Sequence, residues 1–203
     1  MIEFLVAFIL ILGISMSGFR RIKLLNSGFA LQSLAIAFMC LIKGYQSNEY
    51  NYYVLFVLTL LTKVLLVPFV INKVAKNVKL NKETELIIGS NVSYIILGVS
   101  IFLTFSFLRD FPNFIFKAGC IIIIVGSILL VGRKKAISQM IGLLSIENGI
   151  VLFEISMVKM GSIIELGIIF EMLVLALMLG IMVFKINKTF DTINTDYLSN
   201  LKE

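Results

Sequence analysis

Long apolar runs separated by short polar clusters dominate this chain. Seven runs approach or reach the roughly 20 residues that a helix needs to cross a hydrocarbon core. They are Ile2 to Phe19, Leu24 to Ile42, Val54 to Ile71, Leu86 to Phe107, Phe114 to Val131, Ile137 to Val158 and Ile163 to Phe184. Strands of a transmembrane barrel would alternate polar and apolar positions over about ten residues, whereas these runs are continuously apolar. The pattern predicts an all-α integral membrane protein of seven transmembrane helices. It divides into an N-terminal four-helix part (1–110), a C-terminal three-helix part (111–186) and a short tail (187–203).

Composition agrees. Of 203 residues 59% are hydrophobic and only 15% charged, with a mean hydropathy of +1.02, far from the roughly half apolar and quarter charged make-up of soluble domains. With most of the chain spent on the runs, no room is left for a soluble catalytic domain. There is no His, no Trp and only two Cys, so the usual ligands of haem, zinc and iron–sulfur clusters are almost absent. Cys40 and Cys120 both fall inside apolar runs and are expected to be packing thiols.

The net charge of +6 is unevenly placed. The connections after runs one, three and five carry Arg20, Arg21 and Lys23, then Lys73, Lys76, Lys79 and Lys82, then Arg133, Lys134 and Lys135; the tail adds Lys185, Lys188 and Lys202. The opposite side has Lys43, Arg109, Lys117 and Lys159. Because cytoplasmic loops retain Lys and Arg, this asymmetry predicts an outer N-terminus and a cytoplasmic C-terminus. No basic stripe lies on a folded soluble face, so nucleic acid is not implied. The first run lacks a positive leader and a small-residue cleavage site and is expected to be a retained helix. Tyr45, Tyr50, Tyr52 and Tyr53 flank one outer connection, and Phe105, Phe107, Phe111, Phe114 and Phe116 another, as an interfacial aromatic belt would.

The informative residues are ionisable groups inside the runs. Lys63 is central in the third, Glu147 in the sixth and Glu171 near the centre of the seventh. Insertion scales put a charge at a helix centre at roughly +2.5 to +3.5 kcal/mol. Such groups are expected to pair with each other or with partner subunits, to change protonation state, or to line a hydrated path. Glu154 follows Glu147 by seven residues, which returns to the same helix stripe about 10 Å further out, and Glu165 opens the seventh run at a similar depth. The four carboxylates are thus expected to form a staggered ladder from midplane to outer surface. Pro68, five residues after Lys63, is expected to break the third helix. Ser138, Gly142, Ser145 and Gly149 form a small-residue stripe beside Asn148, on which the sixth helix is expected to pack against a partner.

The stretch Ile141-Gly142-Leu143-Leu144-Ser145-Ile146-Glu147-Asn148-Gly149 resembles the "GLLSLENG" type of motif in the component E membrane subunit of hydrogenase-4 and of related group 4 nickel–iron hydrogenase and formate hydrogenlyase complexes. Lys63 followed by Pro68, a basic inner loop and a three-helix C-terminal part also fit that pattern. The last three runs further resemble the K-type subunit of respiratory complex I and the C-type subunit of multisubunit sodium/proton antiporters. In the K-type pattern the third-helix carboxylate corresponds to Glu171. The second-helix position corresponds to Leu144, with Glu147 one turn further outward.

The resemblance implies a non-catalytic subunit in the cytoplasmic (inner) membrane of a prokaryote. In that setting Glu147, Glu171 and Lys63 would belong to a proton or sodium path and Glu154 and Glu165 to its outer exit. Partners would be antiporter-like and quinone-site-like membrane subunits and peripheral hydrogenase subunits. No cofactor is expected in this chain, with the nickel–iron centre and iron–sulfur clusters on partner chains. An antiporter subunit without redox partners, or a purely structural subunit, are the alternatives.

Overall fold

Long runs of apolar side chains leave the backbone to satisfy its own hydrogen bonds, and in such runs the helix does so within a single segment. The computed structural model describes residues 1–77, 87–111 and 113–157, together with positions 167, 169, 173, 174, 176 and 180; the side chains of 74–77 are not among them. All described regular structure is helical: α1 (Ile2–Gly18), α2 (Ile22–Ser47), α3 (Tyr50–Thr59), a π-helical turn (Leu60–Leu66), α4 (Val67–Asn77), α5 (Ser90–Phe107), α6 (Phe114–Gly132) and α7 (Ala136–Ser156). Among the described residues, five helices are long and apolar enough to cross a membrane: α2, the rod formed by α3, the π-helical turn and α4, then α5, α6 and α7, with the shorter α1 beside them. The chain is therefore a multi-pass membrane protein. Most of the seventh run, with Glu165 and Glu171, lies outside the described residues.

Several helix ends depart from the hydropathy pattern. The second run was expected to stop at Ile42, but α2 continues to Ser47 and carries Lys43 within it; Asn48 ends it in the left-handed conformation (φ 57°), where asparagine is tolerated. The next helix begins at Tyr50 rather than Val54. Tyr52, expected in an interfacial belt, is instead fully buried against α2, because it points inward on the first turn of α3. The break expected at Pro68 takes the form of a widened turn just upstream. The Val67 N–H donates to the Thr62 carbonyl five residues back, and Pro68 has no N–H to continue that ladder.

The tightest seam joins α6 to α7. These helices are antiparallel, and glycines stand seven residues apart on each: Gly119 and Gly126 on α6, Gly142 and Gly149 on α7. A Cβ on Gly126 would lie 2.5 Å from the Ile146 nitrogen, and one on Gly142 2.5 Å from the Leu130 nitrogen. A Cβ on Gly149 would lie 2.8 Å from the Gly119 carbonyl oxygen. Backbone thus meets backbone, the mode of association that small residues permit in lipid. The two glycines of the stripe expected to receive a partner, Gly142 and Gly149, meet α6 within the chain itself, because α6 carries the matching glycines.

Two apolar clusters fill the bundle. One joins Met16, Leu25, Phe29 and Ile71 to Val125, Leu129, Ile141 and Val174, the other Val6, Ile9, Ile36 and Leu55 to Ile122, Val151 and Leu152. Both draw on residues before and after position 110, so the N-terminal and C-terminal parts share their cores. The outer faces are apolar too: Val57, Leu61, Leu65 and Phe69 form one exposed line, and α5 exposes Val92, Ile95, Val99, Phe102 and Phe107. Such surface suits a lipid solvent.

The α6–α7 contact is directly testable. Gly126→Leu and Gly142→Leu should each abolish the monodisperse size-exclusion peak in detergent, because backbone has to separate and the penalty exceeds the usual 1–3 kcal/mol of overpacking, roughly. Gly98→Leu, which faces open space, should leave the peak unchanged. Identical behaviour of all three would refute the contact.

Candidate functional site: a buried ion pair and its polar surround

Lys63 sits in the π-helical turn, which widens the helix where it approaches α2. Its ammonium Nζ lies 3.6 Å from Glu147 Oε1 on α7, and the two side chains are only 1% and 3% exposed. The pair stands near mid-length of both spans. Snorkelling to the surface, the usual escape for a membrane lysine, is not used; Lys63 turns into the bundle and meets a carboxylate. The separation is within ion-pair range but longer than the 2.7–2.9 Å, about, of a charge-assisted hydrogen bond.

Next to Glu147, Asn148 faces α2. Its Nδ2 donates to Ser33 Oγ at 3.0 Å and to Gln32 Oε1 at 3.4 Å, and Gln32 Nε2 reaches the Ile9 carbonyl at 3.5 Å. Asn148, Gln32 and Ser33 are all fully buried. This network ties α7 to α2 and α1 at the depth of the ion pair, and it fixes the rotation of α7 that aims Glu147 at Lys63. About two turns back along α2, Asn26 Nδ2 donates to the Pro68 carbonyl at 3.2 Å, which anchors α4 just beyond the widened turn. Thr59 and Thr62 are buried on the same side of the rod, and the Thr62 hydroxyl donates to the Leu58 carbonyl at 2.7 Å.

The remaining residues singled out in the sequence divide clearly. Glu154 is buried (4% exposed) two turns along α7 from Glu147, and its carboxylate lies against the backbone of Gly167, leaving no room for a Cβ there. Ser145 is turned back onto its own helix, donating to the Ile141 carbonyl at 2.9 Å. Ser138 is fully buried near the start of α7. Gly142 and Gly149 serve the α6 contact. Glu165 and Glu171, the other rungs of the expected ladder, lie outside the described residues.

Sequence reasoning passed over Gln32 and Asn26, although an amide inside an apolar run is itself a packing signal. It also passed over the Gly119 and Gly126 spacing on α6, which repeats that of Gly142 and Gly149.

Arg133 was expected in an exposed basic connection but is 1% exposed. Its Nη2 donates to the Ser17 carbonyl at 2.9 Å and to the Met16 carbonyl at 3.3 Å. It therefore caps the end of α1, where helix carbonyls lack intrahelical donors. Burial lowers its pKa from the ordinary arginine value, and nearby Tyr94 acts in the opposite direction. Comparison with protein-family models, curated proteins and solved structures finds no match for the chain.

Removing one member of a buried pair leaves the other uncompensated, typically at about 3–5 kcal/mol. Lys63→Met should destabilise the protein by that order in thermal unfolding in micelles. The double variant Lys63→Met/Glu147→Leu should be milder than Lys63→Met alone. Strictly additive losses would show that the two side chains do not depend on each other.

Proposed function

We propose that this chain is a non-catalytic membrane subunit of a complex I-related, hydrogenase or formate hydrogenlyase-type assembly, and that it contributes intramembrane carboxylates to a proton or sodium path. The observation that carries this reading is the Lys63–Glu147 pair held in the middle of the bundle. Intramembrane ionisable groups are costly and are mostly retained for ion pathways. The motif around Glu147 and the Lys63 to Pro68 spacing support the family assignment through their resemblance.

The chemistry follows from charge balance. The pair is net neutral as ammonium and carboxylate, and equally so as amine and carboxylic acid. An extra proton arriving at Glu147 leaves a net charge in a low-dielectric interior, which must be passed on or compensated. Glu171 in the seventh span would receive it, and Glu154 and Glu165 would lead it to the outer face. This reading takes seven spans, an outer N-terminus and a cytoplasmic C-terminus in a prokaryotic inner membrane. The redox centres would reside on partner chains.

The test is proton uptake by proteoliposomes containing the complex purified through this tagged chain. Glu147→Gln and Glu171→Gln should each abolish coupled uptake while the complex still assembles. Pumping at the wild-type rate in both variants would overturn the proposal, and copurification with antiporter subunits alone would move the chain to that class.

A further inference from the structure

Helix α2 carries a polar stripe that meets three other helices. Asn26, Ser33 and Cys40 are spaced seven residues apart, an interval that returns to nearly the same helix face about 10 Å further along. At the first rung Asn26 Nδ2 donates to the Pro68 carbonyl of α4. At the second, Ser33 Oγ accepts from Asn148 Nδ2 of α7. At the third, Cys40 shares a buried cluster with Tyr52 of α3, and a Cβ on Gly44, one turn beyond, would lie 3.2 Å from that of Tyr52. Each rung leaves one buried polar atom over. Asn26 Oδ1, Asn148 Oδ1 and the Tyr52 hydroxyl are closed off from solvent, and no described residue supplies any of them with a hydrogen-bond partner. Such orphans are rare in folded proteins, and these three are spread over roughly 20 Å of a single helix face. The middle rung adjoins the ion pair through Glu147, next to Asn148. On the rod, Thr59 and Lys63 follow Tyr52 by seven and eleven residues and are buried as it is. Both ends come close to the surface: Lys23, three residues before Asn26, is exposed, and Glu49, three before Tyr52, is partly exposed.

We propose that this seam of α2 binds a file of internal water molecules, seated at Asn26 Oδ1, Asn148 Oδ1 and the Tyr52 hydroxyl, which links the Lys63–Glu147 pair to both ends of the bundle. Water is the ligand that the chemistry fits. An amide oxygen only accepts hydrogen bonds, whereas a phenol both donates and accepts, so the occupant has to donate at two rungs and be able to do either at the third. A metal cation needs several oxygens within one small shell, but these orphans stand one to a rung. Internal waters commonly satisfy buried groups of this kind, and a hydrogen-bonded file of them hands protons along. That the file delivers protons to the pair rests on the ion-path reading above; that it is hydrated does not.

Hydration is read by X-ray radiolysis of the full chain in detergent, where hydroxyl radicals made from bound water oxidise the side chains beside it and mass spectrometry locates the products. Tyr52 and Cys40 should be oxidised although they are buried. Met16 is the dry control: it is equally buried, readily oxidised as methionines are, and packs on Gly28 on the other side of α2. Tyr52→Phe, which removes only the hydroxyl, should lower oxidation of Cys40 several-fold. Oxidation of Tyr52 and Cys40 no faster than that of Met16 would overturn the file, as would Cys40 oxidation unchanged in Tyr52→Phe. Delivery is read in proteoliposomes containing the complex, where Tyr52→Phe should slow coupled proton uptake several-fold without abolishing it. Wild-type uptake in that variant would overturn delivery. Uptake that survives Glu147→Gln would instead overturn the ion-path reading, and radiolysis would still decide the file.

Discussion

A charge in an apolar interior must be met by its opposite, and in this bundle that requirement is satisfied between two helices distant in sequence. Lys63 and Glu147 face each other across the middle of the protein with almost no access to solvent. Two further constraints converge there. The lysine's helix is widened into a π-turn above Pro68, a distortion that in helices commonly marks functional positions. The carboxylate's helix is held at a set rotation by the Asn148 contacts to Gln32 and Ser33. The pair therefore depends on, and in turn constrains, the mutual placement of α2, the α3–α4 rod and α7.

Such placement needs a rigid reference, which the α6–α7 seam provides. Lipid is as apolar as leucine, so close packing and polar contacts, rather than water exclusion, associate helices in a membrane. Paired glycines allow main chain to approach main chain, and polar side chains add a small number of specific links: Asn148 to α2, Gln32 to α1, Asn26 to α4. Arg133 does the same at the basic end, where it ties α6 to the end of α1. Apolar clusters shared across the two parts of the chain fill the volume between these links.

Hydropathy located the described helices well because transfer free energy accumulates residue by residue along the chain. It located their ends less well where local contacts extend a helix, as in α2 beyond Ile42 and in α3 before Val54. The candidate site was legible as a problem rather than as a solution: Lys63 and Glu147 stood out because each is expensive at mid-membrane depth. Asn148 stood out through its neighbours. Gln32 did not, because an uncharged polar residue perturbs hydropathy too little to register. Arg133 was read as one more loop cation, since charge counting ignores which side chains turn inward.

By itself, then, the sequence determined an all-helical membrane protein, the separation of basic and aromatic ends, and the need for Lys63 and Glu147 to be compensated. Tertiary structure decided that they compensate each other, that Gly142 and Gly149 of α7 pack on α6, and that Arg133 caps α1. The physical reason is that burial cost is a sum over single residues. Pairing depends instead on the rotation, register and local widening of whole helices, which many weak contacts set together.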